Sequence, residues 1–166
     1  MKRLWLGLGP DKFDRKKDIL SGPWCVQGKE HLYPDLNSIQ FIDDPMHSLE
    51  ERRSAETLTR NFAELYLKIL AEKLNSKLGI NHIENFWRIM LMPWLLTIVQ
   101  ITWLKQKLIN DFIKANKNEE ISVELIDNSI KWNFEDNFDF MLNGVQNVEF
   151  SHWLFSRLIE NKIPKN

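Results

Sequence analysis

The stretch WRIMLMPWLLTIVQITWLKQK, residues 87–107, constrains the fold of this chain more than any other. It is the most apolar part of the sequence, and it carries three tryptophans and a proline. Its uncharged part, residues 89–104, falls short of the ~20 predominantly apolar residues that cross a bilayer. Pro93, Thr97, Gln100 and Thr102 also interrupt it. The segment therefore reads as a helix buried in a protein core and not as a transmembrane segment. A helix apolar on nearly all sides, with Trp87, Met90, Leu91, Trp94, Leu95, Ile98, Ile101 and Leu104 spread around it, is expected to be buried on several faces. Pro93 predicts a kink within it or a junction of two helices.

The rest of the composition suits a globular chain. The 166 residues are enough for one domain with a core, and 43% hydrophobic against 27% charged residues is unlike a disordered sequence. With 22 basic and 23 acidic residues the net charge is -1, which argues against nucleic acid or an anionic membrane surface as the main partner. Cys25 is the single cysteine, so no internal disulfide forms and nothing points to an oxidising compartment. The opening residues, MKRLWLGLGPDK, have no long apolar core and read as a first strand rather than a secretion signal, which points to the cytoplasm.

Residues 3–8 predict a buried strand ended by Gly9-Pro10. Residues 18–26 give a short apolar run and a Gly-Pro turn, and residues 29–45 read as loop. A long helix follows, started by a capping box of Ser48 with Glu51 and stopped at Gly79. Leu58, Phe62, Leu65, Ile69 and Leu70 predict its apolar face, extended by Leu74 and Leu78. The second helix runs from about residue 82 to 115, and beyond Leu104 Lys105, Lys107 and Lys114 are expected outward and Leu108, Phe112 and Ile113 inward. Residues 121–127 alternate as a strand, and 128–133 connect it, with a short strand as an option, to a helical turn that points Phe134, Phe138 and Met141 or Leu142 inward. Residues 149–162 form a last helix. No repeat or linker divides the chain, so residues 1–166 read as one domain.

Chemistry-bearing residues are few. Gly7 and Gly9 follow the first strand, where a Gly-rich turn could bring backbone amides to a phosphate. Phe13 stands where a dinucleotide fingerprint needs its third glycine, and an ordinary strand terminator explains the pair as well. Trp24 offers a ring face for a sugar, and Cys25 is either a nucleophile or a buried structural thiol. His31, His47, His82 and His152 make no metal-type pair at close spacing, so no metal site is expected. His152 beside Trp153 is either a ligand-orienting group or an ordinary structural histidine. Arg88 is the only charge between Glu84 and Lys105, so it must find an anion, either a carboxylate of the fold or a ligand phosphate.

Three segments carry a family likeness: RLWLGLG with ILSGPWCV, then NFWRIMLMPWLL, and more loosely DFMLNGVQNVEFSHWLFSRLIE. They resemble the N-terminal region of a family of bacterial transferases encoded in gene clusters for O-antigen and other surface carbohydrates. The matching positions are Gly22-Pro23-Trp24-Cys25, Phe86-Trp87-Arg88-Ile89 and Pro93-Trp94-Leu95, with Met92 where the family has glycine. The resemblance implies a helix-rich α/β fold, an incomplete Rossmann-like N-terminal domain of a two-domain glycosyltransferase-like protein. It implies a nucleotide-sugar donor held mostly by a C-terminal half outside residues 1–166, so that this chain by itself is expected to be inactive. It also implies a sugar or lipid-linked sugar as acceptor, and no cofactor beyond the donor substrate. Gly7, Gly9, Trp24 and Arg88 are the substrate-binding candidates, and no catalytic residue is carried over. The alternative is a non-enzymatic helical module that docks a protein partner.

Overall fold

The computed structural model describes residues 1–33 and 35–160. The chain forms two compact units, one of Met1–Pro45 with Lys105–Asn166 and one of Met46–Leu104.

The first unit is built on a three-stranded parallel sheet of β1 (Lys2–Trp5), β2 (Asp18–Leu20) and β3 (Ile121–Val123), in the order β2-β1-β3. The strands are short because the apolar runs are short. Of the strand expected over residues 3–8, only the part before Leu6 pairs, and residues 124–127 of the expected second strand lie beyond β3. Residues 128–133 hold no strand. The register is fixed by a buried carboxylate. Asp18 accepts from Arg3 Nε at 2.8 Å, from the Trp5 indole at 3.0 Å and from the Asp14 amide at 2.7 Å. Burial pushes this carboxyl up, but the hydrogen bonds from Trp5, Asp14 and Arg3 outweigh it and hold the pKa below the usual range.

Leu4, Leu6 and Ile19 of the sheet region pack against Leu108, Ile109 and Phe112 of α2 (Glu84–Ala115) and against Phe155 and Ile159 of the last helix. That last helix lies within the expected 149–162; its described part, Val148–Glu160, is preceded by a single α turn, α3 (Asn137–Asp139), and by a π turn over Phe140–Val145. We call it α4; residues 161 and 162 of the expectation lie outside the described residues. The π turn corrects the predicted inward set. Its wider spacing turns Phe140 into the core, at ring-centroid distances of 5.1 Å from Phe134 and 6.0 Å from Phe150, and leaves Phe138 and Leu142 exposed.

The second unit is a helical hairpin of α1 (Leu49–Leu78) and the first part of α2. Both ends of α1 follow the sequence. The Ser48 hydroxyl accepts from the Glu51 amide at 3.1 Å, the Glu51 carboxylate accepts from the Ser48 amide at 2.9 Å, and Gly79 closes the helix at a left-handed φ of 66°. Asn75 ties the turn by bonding the His82 backbone and the Trp87 indole.

The buried face of α1 is not the predicted one. Leu58, Phe62, Leu65 and Ile69 are exposed, and the helix instead buries Thr59, Ala63, Leu67 and Ala71, with Leu70 and Leu74 at the margin. The reason is volume. Trp87 and Leu95 of α2 pack into this seam, and small side chains at every fourth position leave room for them. Nor is α2 buried on several sides, because a hairpin supplies only one covering helix. Ile89 and Met90 are 78% and 62% exposed. The helix runs unbroken through Pro93, so the junction of two helices that the proline also allowed is absent. Among the described residues α2 is the one helix long and apolar enough to cross a membrane, a test that core helices of soluble proteins also pass.

The seam assignment gives a paired test. Leu67→Ala removes a fully buried side chain and is expected to cost about 2–5 kcal/mol of unfolding free energy. Leu65→Ala, on the exposed stripe, should change it by no more than about 0.5 kcal/mol. Urea unfolding followed by circular dichroism reads both, and a reversed order would restore the face predicted from the sequence.

Candidate functional site

In open parallel sheets ligands bind beyond the carboxyl ends of the strands, where the chain's direction across the sheet reverses. Here β1 is central, with β2 on one side and β3 on the other, so that point lies between the exits of β1 and β3. Three segments meet around it.

The first is the exit of β1 itself, Leu6 to Gly9. Gly7 and Gly9 are both buried. A Cβ on Gly7 would lie 2.6 Å from His152 Nδ1, and one on Gly9 would lie 2.7 Å from the Tyr33 hydroxyl oxygen and 3.3 Å from the Cys25 carbonyl oxygen. Both positions need glycine for close approach, which is a packing reason independent of any phosphate.

The second is the turn Ser21–Cys25, stitched onto that exit. The Ser21 amide donates to the Trp5 carbonyl at 2.9 Å, and the Gly9 amide donates to the Cys25 carbonyl at 2.7 Å. The Ser21 hydroxyl and the Trp24 indole both donate to the Leu6 carbonyl at 3.3 Å. Trp24 is half-buried, stacked on Phe155 at 6.0 Å and packed over Gly22, where a Cβ would come within 2.2 Å of the ring. Protein groups therefore cover much of the ring face considered for a sugar. Cys25 is a fully buried thiol whose pKa burial raises, the state of an inert structural cysteine rather than a nucleophile.

The third is α4, which clamps the exit of β3. His152 Nε2 lies 2.9 Å from the Glu124 carbonyl, the Ser156 hydroxyl accepts from the Ile126 amide at 3.0 Å, and Arg157 donates to the Ile126 carbonyl. A carbonyl can only accept, so Nε2 carries a proton, and Nδ1 lies beside Gly7. His152 thus bridges the exits of the two strands.

Lys105 completes the cluster and corrects an expectation. It does not point outward. It occupies one helical face with Leu108, Ile109 and Phe112, at the i, i+3, i+4, i+7 spacing of a core stripe. Its ammonium donates to the Ser151 hydroxyl at 2.6 Å and lies 4.7 Å from the Trp24 ring centre and 4.1 Å from that of Phe155. Burial draws its pKa down to about 8, opposed by the nearby Cys25. The stripe was present in the sequence, but the lysine in it was read by residue type and not by position. Ile113, expected inward, is exposed instead.

Gly7, Gly9 and Trp24 are therefore brought together. Arg88 belongs to the second unit. It is not buried: its side chain keeps 37% of its accessible surface and pairs with Glu64 at 2.5 Å and Glu84 at 2.8 Å. The hydrogen bonds it donates to Glu64 and then to Glu84 raise its pKa further. The anion that the sequence demanded for Arg88 is thus a pair of carboxylates of the fold.

The family model of the LIC12162 family transferases matches residues 2–166, and the chain belongs to that family. No curated protein and no solved structure matches it.

The His152 bridge is open to a direct check. Long-range nitrogen–proton NMR spectra should give His152 the pattern of the Nε2–H tautomer. Gly7→Ala, whose methyl would overlap the ring, should displace the imidazole and abolish that fixed pattern. A mixture of tautomers in the unaltered protein would contradict the bridge.

Proposed function

We propose that this transferase moves a sugar from a nucleotide-sugar donor to a sugar or lipid-linked sugar acceptor, in the assembly of a bacterial surface carbohydrate such as the O-antigen of lipopolysaccharide, at the cytoplasmic side. The observation that carries the reading is His152, which sits between the exits of β1 and β3, Nδ1 beside Gly7 and Nε2 on the Glu124 carbonyl, in a chain of a transferase family. Glycosyl transfer needs a base for the acceptor hydroxyl. In the proposed step that proton passes to His152 Nδ1 and the acceptor oxygen bonds to the anomeric carbon of the donor. The bond from that carbon to the nucleotide diphosphate breaks, and the diphosphate leaves with the bonding electrons. The parallel sheet with a reversal at β1 supports a Rossmann-like N-terminal half. The resemblance assigns most donor contacts to a second half, outside residues 1–166. No cofactor is required.

A second reading has its own observation. Leu58, Phe62, Leu65 and Ile69 form an exposed stripe at helical spacing on α1, which supports a helical module that docks a protein partner.

The two readings part in an assay of acceptor-dependent release of nucleoside diphosphate from nucleotide sugars. The transferase reading expects release when the second half is supplied, none from residues 1–166 alone, and expects His152→Gln to lower kcat by about 100-fold or more in protein that still folds by circular dichroism. Full activity in a folded His152→Gln protein would remove the histidine from the mechanism. No release with any donor even when the second half is supplied would favour the docking module.

A further inference from the structure

Several partly buried lysines of this chain are ion-paired. Lys2 pairs with Glu119 at 2.6 Å, Lys29 with Asp11 at 2.7 Å and Lys107 with Asp111 at 2.7 Å. Lys105 differs from them. Its ammonium is withdrawn among Trp24, Phe155 and Ser151, and among the described residues no carboxylate lies within ion-pair distance. A desolvated ammonium needs compensation, and one hydroxyl with two ring faces gives it only in part. An ammonium has three donors and Ser151 takes one, so two N–H groups remain. The Ser151 hydroxyl accepts from Lys105 and so keeps its own hydrogen for a further acceptor. Lys105 and Trp24 keep part of their surface accessible.

A merely structural residue at this point of the stripe would be apolar. Methionine has nearly the reach of lysine and would fill the same space beside Leu108 and Phe155 without desolvating a charge. A cation kept at such a position is the mark of a site not optimised for folding.

We propose that Lys105 and Ser151 form an anion subsite that takes the oxygens of a phosphate or diphosphate group. The ammonium supplies two N–H donors and the serine its O–H, a set that suits the terminal oxygens of a phosphoryl group better than a single carboxylate. Assigning that group to the transferase substrate rests on the function proposed above; the subsite itself does not. The diphosphate could belong to a nucleotide or to a lipid-linked sugar, and the chemistry seen by Lys105 is the same in both.

The test is binding, not turnover. Inorganic pyrophosphate, uridine diphosphate and farnesyl diphosphate are titrated against the protein by calorimetry, with melting temperatures measured in parallel and sodium chloride as the ionic-strength control. The wild type is expected to bind pyrophosphate and to be stabilised by it. A gain with the uridine ligand over pyrophosphate identifies a nucleotide source, and a gain with the prenyl ligand identifies a lipid source. Lys105→Met is expected to melt at the same temperature as wild type or higher, and to lose at least tenfold in affinity. Ser151→Ala, with a smaller change in volume, should weaken binding by a smaller factor. Three results would overturn the proposal: no binding of any of the three beyond the salt control, full binding by Lys105→Met, or a Lys105→Met protein that melts several degrees lower and so needs the ammonium for folding. Binding that depends on Lys105, with no transfer activity even when the second half is supplied, would leave the subsite standing and remove the transferase reading. Transfer activity without such binding would do the reverse.

Discussion

The first unit depends on a place where side-chain atoms are missing. Gly7, at the exit of the central strand, lets the His152 ring lie where a Cβ would otherwise be, 2.6 Å from Nδ1. With the ring seated there, Nε2 reaches the Glu124 carbonyl, so one imidazole joins the ends of β1 and β3. The same helix then sets Ser156 against the Ile126 amide and Phe155 under Trp24. The other side of the β1 exit is closed by the turn Ser21–Cys25, whose hydroxyl and indole share the Leu6 carbonyl. Short strands cannot hold a sheet by their ladders alone. This sheet is held by what is packed and hydrogen-bonded at its exits, which is also where parallel sheets take ligands.

That arrangement gives the region proposed to react two different kinds of polar group. His152 is oriented there by the Glu124 carbonyl on Nε2, with Nδ1 beside Gly7. Lys105 brings hydrogen-bond donors on a half-buried side chain held between Trp24 and Phe155. An acceptor of protons and a holder of anions are the two requirements of a transfer that breaks a bond to a diphosphate. Neither residue shares an ion pair that would have to be broken before a substrate could be met.

The sequence made some of this legible and hid the rest for physical reasons. Helix ends were legible because caps are local: Ser48, Glu51 and Gly79 act within a few residues of one another. The β1 strand and the turn after it were legible from an apolar run ending at Gly9-Pro10, whereas three-residue strands such as β2 are too short to show a period. The buried face of α1 was not legible from hydrophobicity, since the stripe with the larger side chains is the exposed one. Its choice depends on the bulk of Trp87 on another helix. Gly7 and Trp24 could be singled out by local pattern, but His152 and Ser151 join them only through the topology. Lys105 is the instructive miss. Its spacing to Leu108, Ile109 and Phe112 was visible, and residue type overrode position.

The central claim is that phosphoryl oxygens are held at the exits of β1 and β3, by Lys105 and Ser151. A crystal structure of the protein grown with uridine diphosphate tests it most directly. The account expects a phosphate of the ligand within hydrogen-bond distance of Lys105 Nζ and Ser151 Oγ. A well-ordered diphosphate bound elsewhere, with Lys105 still closed over by Trp24 and Phe155 and touching no ligand, would contradict it.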